Sequence, residues 1–235
     1  MNFAICCVAF GDEHIIEFNT LVDSLLSIDS NLVIYVSTNN MELIHPKVNA
    51  IYSDAKWNFN LKKESIKEAF KYFDTILFMD TDMFVKRDVD FSIINNFKND
   101  GMYLTRIPHT IFKYKEGEII SIYNMMKNTQ YGKYIKTIVD KTDDLAFTEE
   151  QFFVLKLSNP KQKEEFYNVW DMIYKETLHL NCHPNHIFEE GLNIFLSCKI
   201  PNIPIYSAVD DMNRLYSSFH HMNFDKTISN ITTLI

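Results

Sequence analysis

The sequence predicts an α/β fold, with a mostly parallel central sheet flanked by helices, on three observations. Short apolar runs alternate with amphipathic helical segments through the first half of the chain. The runs are continuously apolar, as strands buried on both faces are, and do not alternate with polar residues. Each of the first two ends in a glycine or a polar cluster, where a buried strand would leave the sheet.

The elements follow in order. Residues 3–9 (FAICCVA) read as a first strand. In residues 13–28, Phe18, Leu21, Val22, Leu25 and Leu26 fall on one face of a helix. Residues 32–36 (LVIYV) form a second apolar run, which ends in Ser37-Thr38-Asn39-Asn40, and residues 48–52 form a weaker third. The stretch LKKESIKEAFKYF sets Ile66, Ala69, Phe70 and Phe73 at helical spacing, and the strand at 76–79 follows it directly. Strand, helix and strand in this rhythm are βαβ units, so the first half is expected to be a Rossmann-like layer.

The second half is less regular. GMYLT (101–105) and EQFFVLKL (150–157) read as strands. Asn159-Pro160 is a good helix start, with Asn as N-cap and Pro at the first helical position, and that helix is expected to bury Phe166, Val169, Trp170 and Ile173. A further helix is expected at 186–198 and a late strand at 203–207, before a polar tail without helix signal. The whole is read as one domain over residues 1–235.

Composition narrows the function classes. Hydrophobic residues make up 46% and charged residues 23%, which fits a globular core and not a disordered chain. Net charge is −8 and no dense Lys/Arg stripe is present, so nucleic acid is not an expected partner. The opening MNFAICCVAFGDEH is too short an apolar run for a membrane span and lacks the basic region and cleavage site of a signal peptide. The four cysteines form no disulfide framework, and Cys6-Cys7 read as small core residues. A cytoplasmic, reducing location is the expectation.

The chemistry is expected at YFDTILFMDTDMFVKRDVDF. Asp80 and Asp82 sit just after a buried strand, where open parallel sheets bind ligands. Side chains two positions apart in extended chain share a face, so both carboxylates can reach one cation. Hard oxygen donors suit Mg²⁺ or Mn²⁺, and such ions bridge diphosphate oxygens. Asp88 and Asp90 repeat the spacing with no apolar run before them and read as ordinary surface. Cys182, His183 and His186 lack the second Cys/His pair that a structural zinc site needs.

FNLKKESIKEAFKYFDTILFMDTDMFV resembles the segment of GT-A-fold glycosyltransferases in which a helix bearing a basic residue leads into a hydrophobic strand and a D-x-D motif. The likeness is to the family 8 and family 6 enzymes, which use nucleotide-sugar donors. It implies a nucleotide-sugar-binding half at about residues 1–100 and an acceptor half, with a metal-binding tail, over 101–235. Asp82 would be the main metal chelator, and Asp80 would contact the ribose and help hold the ion. In family 8 a His near the C-terminus supplies a third ligand, in a pattern like H-x-x-G-x-x-K-P-W. Here HHMNFDK has the same offset from His220 to Lys226, with Asn223 at the glycine position and Thr227-Ile228 in place of Pro-Trp. The resemblance therefore implies His220 as ligand, with His221 as alternative, and Lys226 on the diphosphate. An imidazole in the set fits Mn²⁺ better than Mg²⁺.

The same likeness extends to weaker stretches. HIFEEGLNIFLS resembles a D-Q-x-x-L-N helix start, which implies Glu190, or Glu189 one register off, as the acidic group in the sugar pocket. Glu149, Glu150 or Gln151 would reach the donor sugar. Ala9 and Phe10, at the exit of the first strand, would meet uracil and ribose, and one of Lys62 and Lys63 would touch the donor. Apart from the likeness, Trp57 in the polar loop DAKWNFN is an aromatic face that could stack on sugar or base. The implied activity is transfer of a hexose from a UDP-sugar to a hydroxyl of a carbohydrate or glycoprotein acceptor. Two other classes compete. A haloacid dehalogenase-type phosphatase also has a strand ending in D-x-D, with a late pair such as Asp210-Asp211, but its motif lies on the first strand and continues with Gly-Thr or Val. A protein that binds nucleotide-sugar without turnover would carry the same metal residues.

Overall fold

The computed structural model describes residues 2–54, 60–86, 89–106, 109–110, 146–148, 151–179 and 186–221. In chain order the elements are β1 (Ala4–Ala9), α1 (Asp12–Ile28), β2 (Ile34–Thr38), β3 (Asn49–Tyr52), α2 (Asn60–Ala69), β4 (Thr75–Met79) and β5 (Met83–Val85). A 3-10 helix (Phe91–Asn96) then leads to β6 (Gly101–Leu104), β7 (His109–Thr110), β8 (Ala146–Phe147) and β9 (Phe152–Lys156). The chain continues through α3 (Pro160–His179), α4 (His186–Lys199), β10 (Ile205–Tyr206), α5 (Asp210–Tyr216) and β11 (Phe219–His221).

Seven strands form one sheet in the order β10-β6-β9-β4-β1-β2-β3. β1 is parallel to β2 and β4, β2 to β3, and β6 to β10. The expected mostly parallel sheet with flanking helices is present. β9 differs, because it runs antiparallel to both β4 and β6. Its buried FFVLK run marks a central strand, but an apolar run does not encode direction.

β1 shows how the sheet divides the interior. All six of its residues are buried, and they alternate between two cores. Ile5, Cys7 and Ala9 join α1 on one face, with Ile15, Phe18, Leu21, Val22 and Leu25. Ala4, Cys6 and Val8 join α2, α3 and α4 on the other, with Ile66, Phe70, Phe166, Trp170 and Ile194. The result is three layers, helix on sheet on helix.

α2 and α3 pack as an antiparallel pair fixed at two places. Near one end Lys63 pairs with Asp171. Near the other, Lys163 donates to the carbonyls of Phe70 (3.1 Å) and Phe73 (3.3 Å) and to the Asp74 carboxylate (2.7 Å). The carbonyls just beyond the last turn of α2 would otherwise need water.

Several boundaries depart from the sequence reading. β2 begins two residues late and takes in Ser37 and Thr38, both wholly buried. Val169 is only half-buried, although Phe166, Trp170 and Ile173 are fully so. β10 spans two residues instead of five, since it is an edge strand preceded by Pro204, which has no N–H for a ladder. β5, β11, the 3-10 helix and α5 are too short to leave a periodic signal. Among the described residues no helix is long and apolar enough to cross a membrane.

Candidate active site at the carboxyl end of β1 and β4

The connection from β1 through α1 leads outward to β2, whereas that from β3 through α2 returns across β1 to β4. Strand order therefore reverses between β1 and β4, and loops diverge there to leave a crevice at the carboxyl ends. Gly11 leaves β1 at this point with φ 83° and ψ 150°, backbone angles that only glycine adopts without strain. Its N–H donates to Asn39 Oδ1 at 3.0 Å, which ties the exit of β1 to that of β2.

Asp80 leaves β4 at the same rim. Its N–H donates to the Gln151 carbonyl at 2.9 Å, so the expected donor-side Gln151 stands beside the first aspartate. Lys62, from the first turn of α2, places its Nζ 3.0 Å from Asp80 Oδ1 and 4.8 Å from the centre of the Phe78 ring. The Lys62 side chain is 4% exposed and that of Asp80 is 27% exposed. A desolvated ammonium needs a counter-charge, and the carboxylate and the ring face both provide negative potential. Cys7 lies within the field of this pair. Burial pushes its thiol pKa strongly up, Asp80 adds to the rise, and Lys62 opposes it.

Asp82 is half-buried, with Oδ1 turned away from solvent. β5 starts at the next residue, and β11 pairs with it antiparallel, His221 opposite Met83 and His220 opposite Phe84. Lys86 N–H donates to the Ser218 carbonyl at 2.8 Å, which extends the ladder. The tail backbone thus runs beside the residues that follow Asp82. Lys226 lies outside the described residues, as do Trp57, Glu149, Glu150, Cys182 and His183.

The remaining candidates are sorted by the fold. Phe10 is buried in the core under α2, so its ring is a packing residue and not a stacking platform; Ala9 is wholly buried and offers only backbone. Of the two lysines, Lys62 faces Asp80, while Lys63 is committed to Asp171 on α3 and lies 3.5 Å from Glu64. Glu189 and Glu190 lie early in α4. The next residue, Gly191, accepts hydrogen bonds from Thr148 N–H and Oγ1, each at 3.2 Å. Thr148 and Gln151 are three residues apart, at most about 10 Å of chain, so the start of α4 is tethered close to the Asp80 loop.

Asp90 has a structural task. It caps the 3-10 helix, its Oδ1 accepting from Ser92 N–H (3.0 Å) and Ser92 Oγ (2.5 Å), and these bonds lower its pKa. Asp88 lies outside the described residues. Asp211, in the first turn of α5, accepts from Asn96 Nδ2 at 3.0 Å and pairs with Arg214 at 3.3 Å.

Among the described residues, no three His, Cys, Asp or Glu side chains gather into a metal-binding group, so the described part of this site supplies Asp80 and Asp82 alone. Two cavities, of about 350 Å³ beside Asn2, Asp29 and Phe91 and about 650 Å³ beside Tyr35, Glu68 and Tyr72, do not include either aspartate. The chemistry of the carboxylates singles out the crevice. Sequence reasoning missed Asn39 and the β5–β11 ladder; the only signals were a polar residue after β2 and two three-residue runs. No protein-family model matches the chain, and no curated protein matches it.

Proposed function

We propose that the chain is a GT-A-type glycosyltransferase that uses a divalent cation, Mn²⁺ or Mg²⁺, to move a hexose from a UDP-sugar to a hydroxyl acceptor. The observation that carries this reading is the placement of Asp80 and Asp82 at the strand-order reversal, with the tail strand laid alongside the residue after Asp82. The donor set fits such an ion. Asp82, half-buried just before β5, is the main ligand, Asp80 shares its charge with Lys62, and His220 or His221 adds nitrogen. When bound, the ion neutralises charge that builds on the departing diphosphate.

The chain's own groups supply the rest. Lys62 and Lys226 place positive charge for the diphosphate. The Gly11 and Asn39 exits form the floor for the nucleoside, with Phe10 beneath as support. Glu190, or Glu189, orients the sugar or takes the proton of the acceptor hydroxyl, and Gln151 faces the donor sugar. The acceptor is a carbohydrate or glycosylated protein, and a cytoplasmic enzyme is the simplest setting.

The phosphatase reading has less support, since Asp80 follows the fourth strand and Asp211 is bound to Arg214 and Asn96. Incubation with Mn²⁺ and a panel of UDP-sugars tests the proposal. Slow release of UDP supports a transferase. Phosphate release from a phosphomonoester favours the phosphatase. Tight UDP-sugar binding with no turnover, acceptor panel included, favours a binding protein.

A further inference from the structure

The Lys62–Asp80 pair has a consequence for how the crevice takes up a cation. Lys62 cannot easily move away: its side chain is 4% exposed, it lies over Phe78, and its neighbour Lys63 is fastened to Asp171 on α3. The Lys62 ammonium, 3.0 Å from Asp80 Oδ1, offsets part of the negative charge that the two carboxylates would offer a cation. A divalent cation arriving by itself meets a fixed ammonium on one of its ligands. A diphosphate arriving with it brings enough negative charge to satisfy both cations.

We propose that Lys62 suppresses the affinity of the Asp80/Asp82 pair for a free divalent cation, so that the cation is retained only together with a diphosphate. This deepens the reading of the site given above and rests on it. Coupling of this kind is reciprocal, and the diphosphate gains from the cation what the cation gains from the diphosphate. A lysine with a purely structural role makes a different prediction. Its removal would loosen the site and weaken cation binding, or leave it unchanged, but would not strengthen it.

The test is the binding of Mn²⁺, followed by the electron paramagnetic resonance signal of the free ion, with and without UDP. Wild-type protein should bind Mn²⁺ at least about tenfold more tightly when UDP is present. Lys62→Met and Lys62→Gln should each bind Mn²⁺ alone about tenfold more tightly than wild type, with a smaller gain from UDP. Lys62→Arg should restore the weak wild-type affinity. A folded Lys62→Met or Lys62→Gln protein that binds free Mn²⁺ no more tightly than wild type overturns the proposal. So does a wild-type protein that binds Mn²⁺ equally with and without UDP, a result that needs no variant. Failure of the underlying site is distinguishable: wild type would bind no Mn²⁺ even with UDP, or Asp82→Ala would bind it as well as wild type.

Discussion

His221 lies opposite Met83 in the antiparallel register of β5 and β11, so the backbone of the tail runs beside the residue that follows Asp82. A strand pair of three residues has little stability of its own. Its anchors are Phe219, which is buried and packs 5.5 Å from Phe152, and the bond from Lys86 to Ser218. The core therefore fixes the tail backbone beside the residue that follows Asp82.

That placement separates the two histidines by experiment. His220→Ala is expected to weaken Mn²⁺ binding in the presence of UDP by about tenfold or more, without lowering the melting temperature. A silent His220→Ala, with loss in His221→Ala instead, would move the ligand by one residue. Silence in both would remove the tail from the site.

The two aspartate pairs give a second contrast. Asp82→Ala should abolish metal-dependent UDP binding. Asp90→Ala should leave it intact and instead lower stability modestly, because the carboxylate caps the 3-10 helix through Ser92. The pH dependence follows from its lowered pKa. The stabilisation is present above the carboxylate's unfolded pKa and fades as pH falls through the folded value, so the variant and wild type should converge in acid. Titration calorimetry with UDP and Mn²⁺, beside thermal melts, reads both effects. Equal loss of binding in the two variants would undo the site assignment.

Much of this frame was legible in the chain, because β1, α1, α2 and β4 are long enough to show their periods. Apolar runs gave the strands, and the helical spacing of Ile66, Ala69 and Phe70 located α2. Direction and partner were not legible. Nothing in FFVLK says that β9 runs against its neighbours, and nothing in two adjacent lysines says which one turns to Asp80. Those choices are made by packing: a helix step of about 100° sends Lys62 toward β4 and Lys63 toward α3. Phe10 is decided by packing too, since a ring at a strand exit can face a ligand or a core, and here it is buried with α2.

Lys63 is accordingly expected to matter for folding and not for the donor. Its side chain is 4% exposed and its partner Asp171 is 36% exposed, so only one end of the bridge is fully desolvated. Lys63→Met should destabilise the protein by about 1–3 kcal/mol, as loss of a half-buried charged hydrogen bond does. Urea denaturation measures this. UDP affinity of the folded variant should match wild type, and a large loss of affinity would return Lys63 to the donor site.

Gly101 tests the far edge of the sheet. A Cβ there would lie 2.6 Å from the Tyr206 ring and 2.7 Å from the Pro204 carbonyl oxygen, and φ is 153°. The carbonyl belongs to the bond from Met102 N–H that holds β10 against β6, so it cannot retreat without breaking the ladder. Gly101→Ala is expected to cost about 2–3 kcal/mol, from overpacking plus backbone strain. A variant as stable as wild type in urea would show that β10 is not seated as described.

The cysteines offer a chemical check on the core. Cys6, Cys7 and Cys198 are wholly buried, and burial is the main cause raising each thiol pKa. The reactive species is the thiolate, so a raised pKa and a closed core both suppress it. At pH 8 none of the three should be alkylated by iodoacetamide in the native protein, and all three should react once it is unfolded in urea. Raising the pH to 9 should change little, because ordinary thiols would then be largely ionised whereas these remain protonated. Peptide mapping of the alkylated protein reads each position separately. Native labelling at Cys7 would be the most damaging result, since it would open the strand that leads to Gly11 and would place solvent where Asp80 and Lys62 are held.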